Sequence, residues 1–331
     1  MKYNVAIVGA TGKVGRTFLK VLEKRNFPID NLYLYASKKS AGSKLTFKNK
    51  EYEIIELCRD NIKENIDFAF FSAGGDISLE YSPLFAEKNA TVIDNSSAFR
   101  MDPNIALVVP EVNGSEALKN NKIIANPNCS TIQAVVALKP LHDKFKIKRI
   151  IYSTYQAVSG AGNYGVKDLS VDDENKLEKF QYLIKENLIP QIDVFLENGY
   201  TKEEMKMINE TRKILNDDSL KITATCVRVP VENSHSESIN VEFENNITIQ
   251  EIKDTLKSFN GIVLMDDIKT NTYPMPKYIS GKDEVFIGRL RLDQSCENTI
   301  NMWVVADNIL KGAALNAVQI AEYIIKNKGD I

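Results

Sequence analysis

The chain has 331 residues, with 42 Lys plus Arg against 44 Asp plus Glu, a formal net charge of −2 and 44% hydrophobic residues. That is enough chain for two domains with cores of their own, at the composition of an ordinary globular protein. The balanced charge and the lack of any basic block exclude a nucleic-acid or membrane-surface partner as an expectation. Four widely spaced cysteines (Cys58, Cys129, Cys226, Cys296), no CxxC pair and two histidines argue against a metal site. The N-terminus reads directly as a strand rather than a signal peptide, and no apolar run approaches ~18 residues, so a reduced, cytoplasmic protein is expected.

Residues 2–8 read as a short Val/Ile-rich strand of the buried parallel kind. Gly9-Ala10-Thr11-Gly12-Lys13-Val14-Gly15 follows at once, and residues 16–24 continue as an amphipathic helix. Strand, glycine turn and helix together aim helix N–H groups at a pyrophosphate. The spacing is GxxGxxG rather than GxGxxG, so position carries more of this signal than pattern, and a tight turn without a ligand is the plainer alternative. A second strand, 32–36, ends in Ser37-Lys38-Lys39-Ser40-Ala41-Gly42. An NAD site places an acid there to hold the ribose 2′-hydroxyl. Ser37, Lys39 and Ser40 without an acid favour NADP, unless the Lys pair is simply a solvated loop.

A further strand, 67–71, runs into Ser72-Ala73-Gly74-Gly75 at its C-terminal end, where ligands sit in doubly wound sheets. A helix over 78–89, a strand over 91–94, a polar loop to Arg100, and a strand and turn over 107–113 complete this half. Arg100 reads either as a bidentate phosphate ligand or as a solvated loop arginine. Alternation of strands and helices up to residue 125 predicts a Rossmann-like, mostly parallel sheet.

Residues 123–133 read as the end of a buried strand, a Pro-fixed turn, and Cys129 opening a helix. A thiol at a helix N-terminus meets unpaired N–H groups and the positive end of the macrodipole, which favour the thiolate. The same N–H groups can receive an oxyanion. A free cysteine is as readily a small buried hydrophobe, so this stretch alone leaves the two readings even. Residues 148–155 form a long strand entering Gln156-Ala157-Val158-Ser159-Gly160-Ala161-Gly162, a turn suited to closing over a ligand. Residues 168–185 are strongly charged, partly helical, and suited to the surface or a dimer contact.

Thr201 starts a helix with an acidic first turn. Glu203 and Lys206 share one of its faces, by default as a solvated ion pair. The strand 222–230 places Cys226 and Arg228 on one face, with Val227 and Val229 on the other. His235 falls between two strands among small polar residues, as a base or as an ordinary loop histidine; His142 reads as structural. Strands over 285–292 and 300–306 precede a helical stretch from 307 to 326, suited to pack back on the first domain. The second domain is therefore α+β.

Taken in order, Gly-Ala-Thr-Gly-Lys-Val-Gly, Ser-Ser-Ala-Phe-Arg-Met, Asn-Pro-Asn-Cys-Ser-Thr, Tyr-Gln-Ala-Val-Ser-Gly-Ala-Gly, Glu-Glu-Met-Lys-Met, Arg-Val-Pro-Val-Glu-Asn-Ser-His-Ser-Glu and Met-Trp-Val-Val-Ala-Asp-Asn-Ile-Leu-Lys-Gly-Ala-Ala span nearly the whole chain. Together they resemble the aspartate-β-semialdehyde dehydrogenase family. The resemblance implies a Rossmann-like NADP-binding domain over 1–128 plus 308–331. It implies a glyceraldehyde-phosphate-dehydrogenase-like α+β catalytic and dimerisation domain over 129–307. Cys129 would be the nucleophile, His235 the general acid/base, and Gln156 the amide that orients a thioester.

By the same resemblance Arg228 would pair with the substrate α-carboxylate, Glu203 with its ammonium, and Arg100 and Lys206 with phosphate. Gly9, Thr11, Gly12, Lys13, Val14, Ser37, Lys39, Ser40, Ser72, Ser159, Gly160 and Asn308 would contact NADP. The implied activity is NADPH-dependent reductive dephosphorylation of L-aspartyl 4-phosphate to the semialdehyde. It would act in lysine, threonine, methionine and diaminopimelate biosynthesis, as a homodimer or homotetramer. An N-acetyl-γ-glutamyl-phosphate reductase has the same Cys/His logic but needs no partner for a free ammonium, so Glu203 discriminates. The reading from another class is a non-catalytic NADPH-binding sensor.

Overall fold

A computed structural model describes residues 1–119 and 122–327. The chain divides into two compact units, Met1–Pro127 with Ala313–Ile331, and Asn128–Gly312. The first unit is built on strands β1 (Tyr3–Val8), β2 (Ile29–Ala36), β3 (Lys44–Phe47), β4 (Lys50–Glu56), β5 (Phe68–Phe71), β6 (Thr91–Asp94), β7 (Ala106–Leu107) and β8 (Ile123–Ala125). They form one sheet in the order β3-β4-β2-β1-β5-β6-β8-β7, with every neighbouring pair parallel except β3 and β4. This is the Rossmann-like, mostly parallel sheet that the alternating pattern predicts.

Residues Val5 to Val8 and Phe68 to Phe71 are buried without alternation because helices cover both faces. On one face Phe18 of α1 (Lys13–Lys24) stacks on Phe70 at 5.1 Å. On the other, Phe85 of α2 (Gly75–Glu87) meets Tyr35 and Phe71 edge-on at 5.6 and 5.2 Å. The last helix, Leu315–Asn327, also belongs to this unit, where Arg25 clasps Glu322 through two bonds of 2.7 and 2.6 Å.

Two departures from the sequence pattern have local causes. The pattern does not signal the β3–β4 hairpin, because its turn is Lys48-Asn49, with φ of 48° and 60°, rather than a glycine dipeptide. Residues 107–113, expected as strand and turn, differ as well. The strand ends at Leu107, and Pro110 opens the short helix α3 (Pro110–Asn113), where a fixed φ and a missing N–H suit the first position.

The second unit holds α4 (Cys129–Phe145), β9 (Ile147–Gln156), α5 (Gly162–Asp168), α6 (Lys202–Leu215), β10 (Lys221–Arg228), β11 (His235–Phe243), α7 (Ile249–Lys257), β12 (Ile262–Leu264), α8 (Pro276–Ile279), β13 (Val285–Leu292) and β14 (Thr299–Ala306). Its sheet runs β10-β9-β11-β14-β13-β12, parallel at both ends and antiparallel between, so it is mixed. Helix α4 is buried from Ser130 to Leu138 and packs on four of these strands and on α6 and α7. The opposite face of the sheet is only half-buried at Ile151, Ser153, Tyr155, Asn240 and Trp303.

The charged segment from Asp168 is mostly exposed, as its composition implies, but its first residue is not. Asp168 is buried, and its carboxylate accepts the main-chain N–H groups of Glu178, Lys179 and Phe180, each at 2.9 Å. Only Glu174–Lys176 is helical there, as a single 3₁₀ turn. Thr201 and Glu204 form the expected capping box at the start of α6.

The turn between β1 and α1 is packed closely against neighbouring backbone. Gly9 has φ +85°, and a Cβ there would lie 2.3 Å from the Ser72 carbonyl oxygen. Gly9→Ala is expected to destabilise the protein by about 2–4 kcal/mol, the sum of a left-handed penalty and overpacking. Urea unfolding monitored by circular dichroism checks this.

Candidate active site

Cys129 opens α4, and Asn128 is its N-cap. The Asn128 Oδ1 accepts the N–H groups of Ser130 and Thr131 at 3.0 and 3.3 Å. Those two helix N–H groups are thus satisfied by a side chain and are not open to an oxyanion. The cap is itself anchored from α6. Asn128 Nδ2 donates to Glu203 at 2.8 Å, and its main-chain N–H donates to Glu210 at 2.6 Å. Gly312 lies against Cys129, since a Cβ there would come within 2.9 Å of Cys129 Cβ.

His235, expected in a loop, is instead the first residue of β11 and fully buried. Its Nε2 lies 3.1 Å from Cys129 Sγ, and its Nδ1 accepts the Ala157 N–H at 3.0 Å. Because Nδ1 is used as an acceptor, the neutral ring carries its proton on Nε2, facing the sulfur. Burial pushes this imidazole well below its usual range, and the Arg228 cation pushes the same way. Before it, Ser234 takes φ +74°, and its N–H is held by Asn308 Oδ1 at 2.8 Å.

Glu203 is not on a solvated face. It is 5% exposed and accepts from Asn128, from Gln156 Nε2 at 3.2 Å and from Lys206 Nζ at 3.1 Å. Burial pushes its carboxyl up, but Lys206, the Asn128 bond and Arg228 outweigh that and hold it below the usual range. Lys206 is raised: burial pulls it down, and Glu203 and Asp193 more than compensate. Gln156 ends β9, donating also to Thr154 Oγ1 at 3.2 Å.

Arg228 is buried at the end of β10, as its alternation with Cys226 implies. Its Nη1 donates to the Ala157 carbonyl at 2.8 Å and its guanidinium lies over the Phe180 ring at 5.8 Å. Gly160 closes against this pair, its absent Cβ only 3.1 Å from Arg228 Nη1 and 3.3 Å from the His235 ring. Ser159 and Asn308 bond each other, with Asn308 Nδ2 donating to Ser159 Oγ at 3.0 Å. The structure thus brings Cys129, His235, Gln156, Glu203, Lys206, Arg228, Ser159, Gly160 and Asn308 together in one unit. Sequence pattern does not single out Asn128, Glu210 or Gly312. The N-cap preference for Asn is a signal for the first. Glu210 has none, being 82 positions from the N–H it accepts, and Gly312 is farther still from Cys129.

The remaining sequence-derived residues lie in the first unit. Arg100 is 7% exposed rather than solvated, with Nε and Nη2 donating to the carbonyls of Asn126 and Asn95 at 3.0 and 2.9 Å. Asn126 is fixed in turn by Asn316 Nδ2 at 2.7 Å. The α1 N-terminus, in contrast to that of α4, has Gly12 as N-cap and no side-chain cap. With Gly9 and Gly15 leaving no Cβ between the turn and the helix, Thr11, Gly12, Lys13 and Val14 form a backbone cradle that fits a dinucleotide phosphate. Ser37 and Lys39 are exposed and Ser40 and Ser72 half-buried at the C-terminal ends of β2 and β5. Among the described residues no cluster of His, Cys, Asp or Glu could hold a metal, and no helix is long and apolar enough to cross a membrane.

Residues 4–121 match the semialdehyde dehydrogenase NAD binding domain, and residues 138–311 match the semialdehyde dehydrogenase dimerisation domain. An aspartate-semialdehyde dehydrogenase of Aquifex aeolicus is 56% identical over 98% of this chain and 99% of its own. That of Bacillus subtilis is 49% identical over 98% and 97%. Among solved structures, aspartate semialdehyde dehydrogenase II from Vibrio cholerae, also known complexed with ASA, superposes with a TM-score of 0.94 at 46% identity, covering 99% of each chain. The enzyme from Candida albicans with NADP reaches 0.81 at 26% identity, covering 100% of each. This chain belongs to the aspartate-semialdehyde dehydrogenase family.

Proposed function

We propose that the protein is the NADP-dependent aspartate-semialdehyde dehydrogenase of amino-acid biosynthesis, with Cys129 as its nucleophile. Family membership makes it an oxidoreductase with a nicotinamide cofactor; the observation that carries the residue assignment is the 3.1 Å approach of Cys129 Sγ to His235 Nε2 beside Arg228 and Glu203. The thiolate of Cys129 attacks the acyl carbon of L-aspartyl 4-phosphate: a C–S bond forms, the C–O bond to phosphate breaks, and inorganic phosphate leaves toward Lys206 and Arg100. When bound, the cofactor supplies the hydride that reduces the resulting thioester. The hemithioacetal oxyanion then re-forms a carbonyl as Cys129 leaves as thiolate, giving L-aspartate 4-semialdehyde.

His235 serves this sequence from its neutral tautomer. Its Nε2–H donates to the sulfur and then to the oxygen that gathers negative charge. Gln156 is the amide we assign to orienting the thioester, and it does so by exchanging its Nε2 bond to Thr154 for one to the substrate. Arg228 is the bidentate partner for the substrate α-carboxylate. Glu203 has three of its roughly four acceptor positions in use, leaving one for the substrate ammonium. Lys206 and Arg100 are the proposed phosphate ligands. NADP is favoured over NAD by Ser37, Lys39 and Ser40. The half-exposed sheet face bearing Tyr155 and Trp303 is the surface we assign to a homodimer, in keeping with the dimerisation domain it belongs to.

Purified protein is expected to reduce NADP in the presence of phosphate and aspartate semialdehyde, and Cys129→Ala to lose at least about 10³-fold in kcat. Near-native turnover by that variant would sink the reading. Lys39→Ala should lower the ratio of kcat/KM for NADP over NAD by about tenfold through loss of a cation at the 2′-phosphate, measured with both cofactors. His235→Asn is expected to cost about 10²–10⁴ in kcat. Because the folded imidazole is depressed, its contribution to stability is full above the ordinary value of about 6.5 and is lost as pH falls below it. The Asn variant should therefore lose less stability than wild type between pH 7 and pH 5 in urea melts.

A further inference from the structure

Two residues beyond His235, on the same face of β11, stands a second ionisable group. Glu237 is fully buried, and neither of its carboxyl oxygens has a hydrogen-bond partner. Gln133 of α4 is equally buried. Its Nε2 donates to the main-chain oxygen of His235 at 3.4 Å, while its Oε1 has no partner. Two carboxylate oxygens and an amide oxygen are thus three buried acceptors short of donors, which folded proteins rarely tolerate.

One proton on Glu237 balances the count. Its O–H becomes the donor for Gln133 Oε1, one Gln133 N–H serves the other carboxyl oxygen, and the second N–H remains on the His235 carbonyl. Acid and amide then satisfy each other on both edges. Among the described residues, the titratable groups that act on or are acted on by Glu237 are Glu203 on α6, Tyr152 on β9 and Cys226 on β10, with His235 on its own strand; none of these is a cation that would hold a carboxylate. Burial pushes its carboxyl well above the usual range, Glu203 pushes the same way, and the Gln133 side chain acts against them.

We propose that Glu237 is a neutral carboxylic acid in the folded enzyme and, paired with Gln133, a positioning residue for His235. The pair fixes the start of β11, and with it the placement of the imidazole, without setting a negative charge two residues along the strand from His235. The inference rests on reading Cys129 and His235 as the reacting pair.

The test compares wild type with Glu237→Gln, Glu237→Leu and Gln133→Leu by the pH dependence of iodoacetamide alkylation of Cys129, by infrared spectroscopy of protonated carboxyl groups, and by kinetics. Glu237→Gln keeps a donor and leaves the site neutral, so its alkylation midpoint and kcat should stay at wild-type values. The two Leu variants should lose about ten- to a hundredfold in kcat with little change in KM, as expected when a reacting group is misplaced. A protonated-acid band should be present in wild type and absent from Glu237→Gln. An alkylation midpoint moved to lower pH in Glu237→Gln, the mark of a charge removed, would overturn the proposal. So would a missing band, or wild-type kcat in the Leu variants. The Gln variant and the band decide the matter even where a Leu variant does not fold. Neither depends on turnover, so a failure of the proposed activity is separable from a failure of this pair.

Discussion

The second unit is organised by the buried carboxylate of Glu203. Taking a carboxylate out of water costs several kcal/mol unless donors surround it. Here the donors are the N-cap of the cysteine helix, the amide at the end of β9 and the ammonium of Lys206 one turn along α6. The proposed chemistry draws on each of them: the helix that carries Cys129, Gln156 and Lys206. The attraction that offsets the desolvation of Glu203 also fixes Asn128 before Cys129, orients Gln156 and draws Lys206 inward. Removing the carboxylate would therefore release three groups at once, as parts of one network rather than additive contacts.

The two helices that follow glycine or asparagine turns illustrate how one backbone feature serves two ends. Both α1 and α4 present an N-terminus with the positive end of its dipole. At α4 the Asn128 side chain consumes the N–H groups of Ser130 and Thr131, so the helix contributes its field to Cys129 but not those hydrogen bonds. At α1 the N-cap is a glycine with no side chain to compete, which leaves the terminus open to the phosphate we assign to it. The residue at the cap decides which use the terminus has.

His235 is governed by its main-chain neighbours as much as by the thiol. The Ala157 N–H claims Nδ1, which sends the ring proton to Nε2 and makes a doubly protonated ring unfavourable. Ser234, left-handed at φ +74° and held by Asn308, turns the chain so that the ring enters the interior at the first residue of β11. Gly160 leaves the space that the ring and Arg228 share.

Local pattern accounts for much of this. The Val/Ile strand, glycine turn and helix at the N-terminus, the capping box at Thr201, and the alternation that pairs Cys226 with Arg228 all arise from interactions within a few residues, which period and propensity report. The alternating architecture, the cysteine at a helix start and the motifs in their order are therefore legible in the chain itself. Pattern does not show partnership across long separations. Glu203 reads as half of a surface ion pair with Lys206 because its other donors lie 75 and 47 residues away. Arg100 reads as a solvated loop residue because the carbonyls that hold it are supplied by a folded turn. Asp168 does not stand out from its charged segment because the three N–H groups it caps begin ten residues later. The sequence by itself determined which elements form and which reactive side chains they carry. Only tertiary structure decided which of those side chains are buried, neutral or charged, because desolvation and hydrogen-bond satisfaction depend on neighbours that the chain brings together from distant positions.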